Sequence, residues 1–276
     1  MSVLYTVKKF ESCGLAIQDS LMKSFQIENI KTPVVSVIGA GGKTTLIRAL
    51  AEEYQSKGIP VIVTTTTHML VENLPWFLLT PSPEGVKKLL GQYGMAWIGI
   101  PQVGMSQEGR DKGGGSCSHI NRRVRKMGIL PREFLEWVLG YGVPVLIEAD
   151  GARGLPIKAP AGHEPVLLPQ TTHVLNVYGL DAIGKRISEV CFRGDRAAEL
   201  LGKKTEDILQ EGDIAALALS RQSGRKGAAA VLPYKIVLNK ADNAVREKSA
   251  LRIGMMAWEK GFGDLTVTAA ERQREQ

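Results

Sequence analysis

Short apolar runs alternate with segments of helical periodicity along most of the chain. Residues 34–38 form an apolar run typical of a buried strand; a glycine-rich turn and a segment of helical periodicity over about 43–57 follow it. A second apolar run, Val61–Thr65, comes after a turn at residues 58–60. Strand, loop, helix and strand in this order predict a βαβ unit, whose strands are parallel and whose crossover is right-handed.

The same alternation continues towards the carboxyl terminus. Further strands are predicted at residues 76–79, 95–100, 143–147, 174–178, 235–238 and 265–268, and further helices at 131–139, across 193–219 and at 245–260. Residues 1–29 are interpreted as a short helical lead-in, and residues 101–128 as a flexible basic insertion, because they are rich in glycine and lack apolar periodicity. We therefore expect one α/β domain over residues 1–276, with a mostly parallel, doubly wound sheet and ligand sites at the carboxyl ends of its strands.

Composition narrows the class of protein. Hydrophobic residues make up 44% and charged residues 23% of the chain, which is ordinary for a soluble globular protein. No apolar run is long enough to cross a bilayer, residues 1–10 lack the apolar core of a signal peptide, and the three cysteines lie far apart without a CxxC pair. These features predict a cytoplasmic protein without a membrane partner, a disulfide framework or a structural zinc site.

The chain is basic, with a net charge of +7. Such a charge attracts phosphorylated ligands or nucleic acid, but most of the charges are dispersed, which favours a solvated surface. A basic cluster at residues 122–126 has no interleaved aromatic residues that would stack on bases. Nucleic acid is therefore not the expected partner.

The turn after the first apolar strand predicts a phosphate-binding loop and, with it, a P-loop NTPase-like fold. Its residues are Gly39, Ala40, Gly41, Gly42, Lys43, Thr44 and Thr45. Glycines let successive backbone N–H groups surround an anion, and the helix amino terminus adds its dipole. Lys43 would contact the β- and γ-phosphates, and the Thr44 hydroxyl would bind Mg²⁺, so the expected cofactors are Mg²⁺ and GTP or ATP.

The loop departs from the strict phosphate-loop motif. Val37 stands where that motif has its first glycine. The compressed pattern resembles the loop of Mur-type ligases, and the doubled threonine resembles metal-insertion and transport ATPases. The structural alternative is a glycine-rich turn with a lysine at the surface.

Two carboxylates follow the apolar strand at residues 143–147. An NTPase places the acid that holds Mg²⁺ or its water at such a position. Because side chains alternate along a strand, Glu148 and Asp150 would share one face. We assign catalytic roles to Lys43, Glu148 and Asp150, and metal binding to Thr44, Glu148 and Asp150; the alternative is a solvated strand end.

Asn239, Lys240 and Asp242 follow a late apolar strand in the order Asn-Lys-x-Asp. This order matches the guanine-selecting element of GTP-binding proteins, in which the aspartate accepts hydrogen bonds from guanine N1–H and its exocyclic amine. Adenine lacks that donor pair, so an unpaired carboxylate would disfavour it by about 1.5–3 kcal/mol. The alternative is a polar turn after a core strand.

Other polar residues at strand ends are possible substrate contacts. Thr66 and His68 follow the second strand, and His163 lies in a Gly-His-Glu-Pro segment. Each also has a structural interpretation, as a strand end or a hydrogen-bonded loop residue. Arg193 and Arg196 would either supply a transition-state cation or pair with Glu199 on a helix.

These motifs together resemble the YqeC family of accessory proteins for selenium-dependent molybdenum hydroxylases, also called selenium cofactor biosynthesis proteins. The resemblance covers about residues 33–243, and its most specific part is the block from Glu148-Ala149-Asp150-Gly151-Ala152-Arg153-Gly154 to His163-Glu164-Pro165. It implies a role in maturing or inserting the selenium-containing molybdenum cofactor, with a hydroxylase or maturation protein as partner. Arg153, Lys158 and His163 would then contact a substrate or client.

Three hypotheses are open at this level. The first is an NTP-dependent accessory enzyme of cofactor maturation. The second is a binding module whose nucleotide state controls docking to an apo-hydroxylase. The third is a Mur-like, ATP-dependent ligase, which the short glycine loop favours and the Asn-Lys-x-Asp element opposes.

Overall fold

The structure of the protein is a computed structural model that describes residues 4–12, 14–102 and 126–271. Among these residues, no helix has both the length and the apolar character needed to cross a membrane.

Fifteen strands are present in the described ranges. They are β1 (Leu4–Glu11), β2 (Gly14–Gln18), β3 (Val34–Gly39), β4 (Val61–Thr65), β5 (His68–Leu70), β6 (Phe77–Leu78), β7 (Met95–Ile98), β8 (Ile100–Gln102), β9 (Lys126–Gly128), β10 (Val145–Glu148), β11 (Ile157–Lys158), β12 (His173–Gly179), β13 (Cys191–Phe192), β14 (Tyr234–Asn239) and β15 (Leu265–Glu271).

Eight α-helices and two 3₁₀ helices accompany them in the same ranges. The α-helices are α1 (Leu21–Ser24), α2 (Lys43–Ser56), α3 (Pro83–Tyr93), α4 (Arg132–Gly140), α5 (Ile187–Val190), α6 (Gly194–Leu201), α7 (Glu211–Leu219) and α8 (Ala244–Glu259), and the 3₁₀ helices are Leu180–Ala182 and Gly227–Ala230.

Ten strands form one sheet in the order β2-β1-β15-β14-β12-β3-β10-β4-β7-β6. The eight strands from β15 to β6 run parallel to their neighbours, whereas β1 and β2 are antiparallel at one edge. The α/β class and the mostly parallel sheet predicted from the sequence are therefore confirmed. β10 and β12 flank β3 on its two sides, so the loops after these three strands meet at one edge of the sheet.

Helices cover both faces of the sheet. Along β3, Val34 and Ile38 contact the core on the face covered by α3, α4, α7 and α8, whereas Val35 and Val37 contact the core beneath α1 and α2. All six residues of β3 are buried. A parallel strand buried on both faces needs apolar residues at nearly every position, which is the uninterrupted apolar run of the sequence.

The expected helical lead-in at residues 1–29 is wrong. This segment forms the antiparallel pair β1 and β2, followed by the four-residue helix α1. The side chains of β1 alternate between the two faces of the sheet, so that Val7 and Phe10 lie on opposite faces, as in a strand. Pairing of β1 with β15 attaches this segment to the sheet.

The expected insertion at residues 101–128 lies mostly outside the described residues, which resume at residue 126. Its two described ends are strands: β8 and β9 pair with each other, and β9 also pairs with β5, in a small antiparallel sheet. The predicted helical stretch over 193–219 is divided into α6 and α7, because Gly202 ends α6 in a left-handed conformation.

The difference in burial between the central and the edge strands predicts how two substitutions change the free energy of unfolding. Replacing Ile147, which is fully buried at the centre of β10, with alanine leaves a cavity and should lower the free energy of unfolding by about 2–5 kcal/mol. Ile17→Ala on the edge strand β2, where the side chain is 78% exposed, should change it by less than about 0.5 kcal/mol. Chemical denaturation of both variants measures the difference, and equal effects would contradict this arrangement of the core.

A lysine and carboxylate network at the glycine loop

The turn between β3 and α2, residues 39–42, is called the glycine loop below. Gly41 and Gly42 have φ angles of 81° and 119°. A β-carbon at Gly41 would collide with the backbone of Gly179, and one at Gly42 would collide with the side chain of Asn239. Both positions therefore require glycine for conformation as well as for space. Ala40 is buried and donates its N–H to the carbonyl of Val177 on β12.

Lys43, the first residue of α2, is buried and turns back over the loop. Its Nζ donates to the carbonyl of Gly39 at 2.7 Å and lies 3.2 Å from Oδ1 of Asp150. No side chain in the described ranges caps the amino terminus of α2, whereas Ser82 caps α3 and Asn243 caps α8. A buried ammonium therefore lies beside a helix terminus whose N–H groups have no side-chain acceptor.

Asp150, just after β10, contacts three groups from different segments. Its Oδ2 accepts the N–H of Gly39 at 3.0 Å and lies 3.1 Å from Nζ of Lys158, while Oδ1 faces Lys43. Only 3% of the Asp150 side chain is exposed. A charge at this depth is tolerated only with such compensation, so the carboxylate ties the glycine loop to β11.

Glu148, the last residue of β10, contacts the amino terminus of α2. Its Oε2 accepts the hydroxyl of Thr44 at 2.7 Å. Burial raises the pKa of Glu148, while Lys43 and the Thr44 hydroxyl act in the opposite direction. The structure therefore brings Glu148, Asp150, Lys43 and Thr44 together, as expected, but the two carboxylates have different partners.

The Thr44 and Glu148 pair provides two oxygen donors for a hard cation. No cluster of three His, Cys, Asp or Glu side chains suited to a metal occurs among the described residues. Mg²⁺ does not need one, because it usually binds through one or two protein oxygens together with phosphates and water. The donor set fits Mg²⁺ as a partner of a phosphorylated ligand.

A second buried cation, Lys158, extends the network away from the glycine loop. Its Nζ lies 2.9 Å from Oε2 of Glu164 and donates to the carbonyl of Gly151 at 2.8 Å. Arg193 donates to the same Oε2 at 2.6 Å. Burial opposes ionisation of Glu164, but the N–H of Ala161 together with Lys158 and Arg193 outweighs it and lowers the pKa to about 2.

The Asn-Lys-x-Asp element lies at the same sheet edge, after β14. Nδ2 of Asn239 donates to the carbonyl of Gly41 at 2.9 Å, and its Oδ1 accepts the hydroxyl of Thr268 on β15 at 3.0 Å. Lys240 pairs with Asp181 at 2.7 Å, and the half-exposed Asp242 pairs with Arg246 at 2.7 Å. Asn239 thus connects the glycine loop to the last two strands of the parallel sheet.

The remaining predicted residues lie around this network. Thr66 is buried and donates its hydroxyl to the carbonyl of Val166, whereas Thr45, His68, Arg153 and His163 are exposed. The guanidinium of Arg153 lies 5.0 Å from the centre of the Phe192 ring.

The sequence did not predict the ion pairs of Glu164 or the partner of Arg193. Glu164 follows His163 directly, and its carboxylate, rather than the imidazole, makes the ionic contacts. Arg193 pairs with Glu164 and not with the helical neighbour Glu199. No sequence spacing indicates this pairing, because 29 residues separate the two partners.

Fold and site together define an α/β protein with a glycine loop before a buried-lysine helix and a carboxylate network at the carboxyl ends of the central strands. The family model described as YqeC protein matches residues 35–195. The chain is also 31% identical over 197 residues to the uncharacterized protein YqeC of Escherichia coli (strain K12). This alignment covers 70% of each chain. The chain therefore belongs to the YqeC family. The matched segment contains the glycine loop and the network up to Arg193, and ends before β14.

The low pKa of Glu164 makes acid stability testable. A carboxyl group whose pKa is lower in the folded chain stabilises it above the unfolded pKa and loses that effect as the pH falls towards the folded value. The Glu164 contribution should therefore disappear between about pH 4.5 and about pH 2. Denaturation at a series of pH values should show a smaller loss of stability in this window for Glu164→Gln than for the wild type.

Glu84→Gln, an exposed carboxyl on α3, is the control for removing one acidic group. If Glu164→Gln and Glu84→Gln follow the same pH dependence, the ion pairs of Glu164 do not stabilise the folded chain.

Proposed function

We propose that this protein binds and hydrolyses a nucleoside triphosphate with Mg²⁺, with GTP preferred to ATP, on a P-loop NTPase-like site. We further propose that it serves the maturation or insertion of the selenium-containing molybdenum cofactor of a hydroxylase. The second part rests on the family resemblance of the motifs, and the first rests on the geometry of the glycine loop.

The uncapped start of α2 beside the buried Lys43 carries the proposal. Gly42, the residue before the helix, has no side chain, and the first N–H groups of α2 have no side-chain acceptor from the described residues. Such a terminus attracts phosphate through its N–H groups and its dipole, and a lysine at its first turn adds a full positive charge. In this function Lys43 binds the β- and γ-phosphates, in competition with Asp150.

Thr44 and Glu148 would hold the metal ion of the nucleotide complex. Mg²⁺, when bound, neutralises charge that develops on the transferred phosphoryl group. Glu148 lies at the buried end of β10 and keeps its carboxylate against the Thr44 hydroxyl, so both oxygens are oriented before a ligand arrives. Asp150 holds the Gly39 amide and orients the loop.

The position of the Asn-Lys-x-Asp element supports guanine as the base. β14 lies two strands from β3, and both strands end at the same sheet edge. Asn239 fixes the distance between the glycine loop and this element, and Asp242 has about half of its side chain exposed to accept donors from a base. Arg246, which now pairs with Asp242, would share that carboxylate with guanine.

Lys43→Met tests the phosphate site. The loss of one charge-assisted contact of about 1.5–3 kcal/mol should weaken Mg²⁺–GTP binding by roughly ten- to a hundredfold in equilibrium titration with a fluorescent nucleotide. Lys57→Met, just beyond the other end of the same helix, is the matched control and should bind as the wild type does. If the two variants bind Mg²⁺–GTP with equal affinity, the glycine loop is not the phosphate-binding site.

Asp242→Asn tests the base. An amide in place of the carboxylate should reduce the affinity for GTP and raise that for XTP, because xanthine presents an acceptor where guanine has its amine. Competition of GTP, ATP and XTP against the fluorescent nucleotide measures this shift, and Asp19→Asn, which also removes an exposed i,i+4 ion pair, is the control. If both the wild type and Asp242→Asn prefer ATP to the same extent, the Asn-Lys-x-Asp element does not select the base and is only a turn.

A further inference from the structure

Three cationic groups gather around the ring of Phe192, beside the glycine-loop network. Arg193 lies 4.3 Å, Arg153 5.0 Å and Lys158 5.8 Å from the ring centre. A ring face attracts a cation and can hold a guanidinium beside it. Arg193 donates to Glu164 from this position, whereas Arg153 has no hydrogen-bond acceptor among the described residues. Phe192 thus organises charges that would otherwise repel one another.

The carboxylates of this region do not balance its cations. Lys158 and Arg193 share Glu164, and Lys158 also contacts Asp150. Arg153 has no carboxylate partner among the described residues, and its ring contact with Phe192 leaves its charge uncompensated. A positive charge therefore remains exposed next to a buried ion-pair network.

Two further cations strengthen the imbalance. Nε of Arg196, on the first turn of α6, is buried without a hydrogen-bond partner in the described part of the chain. Lys226 donates to the carbonyls of Ala161 and Gly162, in the loop that carries Glu164. Burial lowers the pKa of Lys226 and the charge of Arg196 lowers it further, while the carboxylate of Glu164 acts in the opposite direction.

The backbone conformation of Arg153 and Arg193 is a separate indication of a ligand site. Arg153 and Arg193 have φ angles of 50° and 63°, in the left-handed region that residues with a β-carbon rarely adopt. Neither position is glycine, so the fold holds an arginine side chain there despite the strain. Strained backbone of this kind concentrates at ligand sites, where it orients a side chain.

The segment that carries Arg153 contacts the glycine loop of the proposed nucleotide site. The segment between Asp150 and Lys158 contacts the glycine loop twice, through Asp150 to the Gly39 amide and through the Leu155 carbonyl, which accepts the N–H of Gly41. Arg153 therefore lies on a segment that is hydrogen-bonded to the glycine loop on either side of it.

We propose that Arg153 and Arg193, held on the Phe192 ring and supported by Arg196, form a site for an anionic second substrate. Its chemical class is a small molecule with a carboxylate or phosphate group that binds while the nucleotide is in place. This inference rests on the proposed function, since it gives the nucleotide-dependent reaction its second component.

Calorimetric titration with inorganic phosphate and with citrate, at constant ionic strength, tests this site. Arg153→Met should weaken the binding of one of these probes by roughly tenfold or more relative to Arg132→Met, the removal of an arginine that is 90% exposed on α4. Arg153→Lys should restore part of the affinity. The unfolding midpoints of the variants should agree, because Arg153 is exposed.

Lys43→Met separates this site from the nucleotide site. The anion response should persist in Lys43→Met even if the nucleotide does not bind, so failure of the nucleotide proposal is distinguishable from failure of this one. Anion binding that is lost in Lys43→Met and unchanged in Arg153→Met would overturn the second site. The second site would also be overturned if neither phosphate nor citrate bound the wild type at millimolar concentrations. Tighter binding of a polyglutamate peptide than of either small anion would overturn a small-molecule substrate.

Discussion

The carboxylate of Asp150 is compensated by three groups: the amide of Gly39 and the ammonium of Lys43, which are distant in sequence, and the ammonium of Lys158 on the nearby strand β11. A carboxylate that is 3% exposed is stable only while such partners surround it, and the buried lysines in turn need a carboxylate nearby. The glycine loop, the end of β10 and the short strand β11 are therefore coupled, and displacement of any one leaves a buried charge without its partner.

The parallel sheet makes that coupling possible. β10 and β12 flank β3, and their carboxyl ends point to the same edge, so residues more than a hundred positions apart meet there. Close packing against β12 also restricts the loop, since the amide of Ala40 bonds to Val177 and a side chain at Gly41 would collide with Gly179. The sheet thus fixes the loop from both sides before any ligand arrives.

The ionic network has two parts, one at the start of α2 and one around Phe192, which suit different ligands. Around Lys43, Thr44 and Glu148 it is compact and oriented towards the start of α2, which suits a phosphorylated ligand and its metal. Around Phe192 it is open and carries excess positive charge, which suits a second anion. Lys158 contacts a carboxylate of each part, Asp150 on one side and Glu164 on the other, so binding at one part would alter the electrostatic environment of the other.

The amino-acid sequence by itself determined the α/β class, the mostly parallel central strands, the glycine loop and the gathering of Lys43, Thr44, Glu148 and Asp150. These depend on local signals: continuous apolar runs, a glycine-rich turn before a helix, and polar residues directly after strands. The first 29 residues form an edge hairpin instead of the expected helical lead-in, because pairing with β15 stabilises it, and a short alternation alone does not identify that distant partner.

Only the tertiary structure decided the partners of the charged groups. The pairing of Glu164 with Arg193, the contact of Arg153 with the Phe192 ring and the hydrogen bond from Asn239 to Gly41 each join different segments of the chain. Ionic and hydrogen-bonding groups carry no periodicity that identifies a distant partner. Their pairs are set by which strands the fold makes neighbours, because a buried charge must be compensated by whichever groups that arrangement brings within reach.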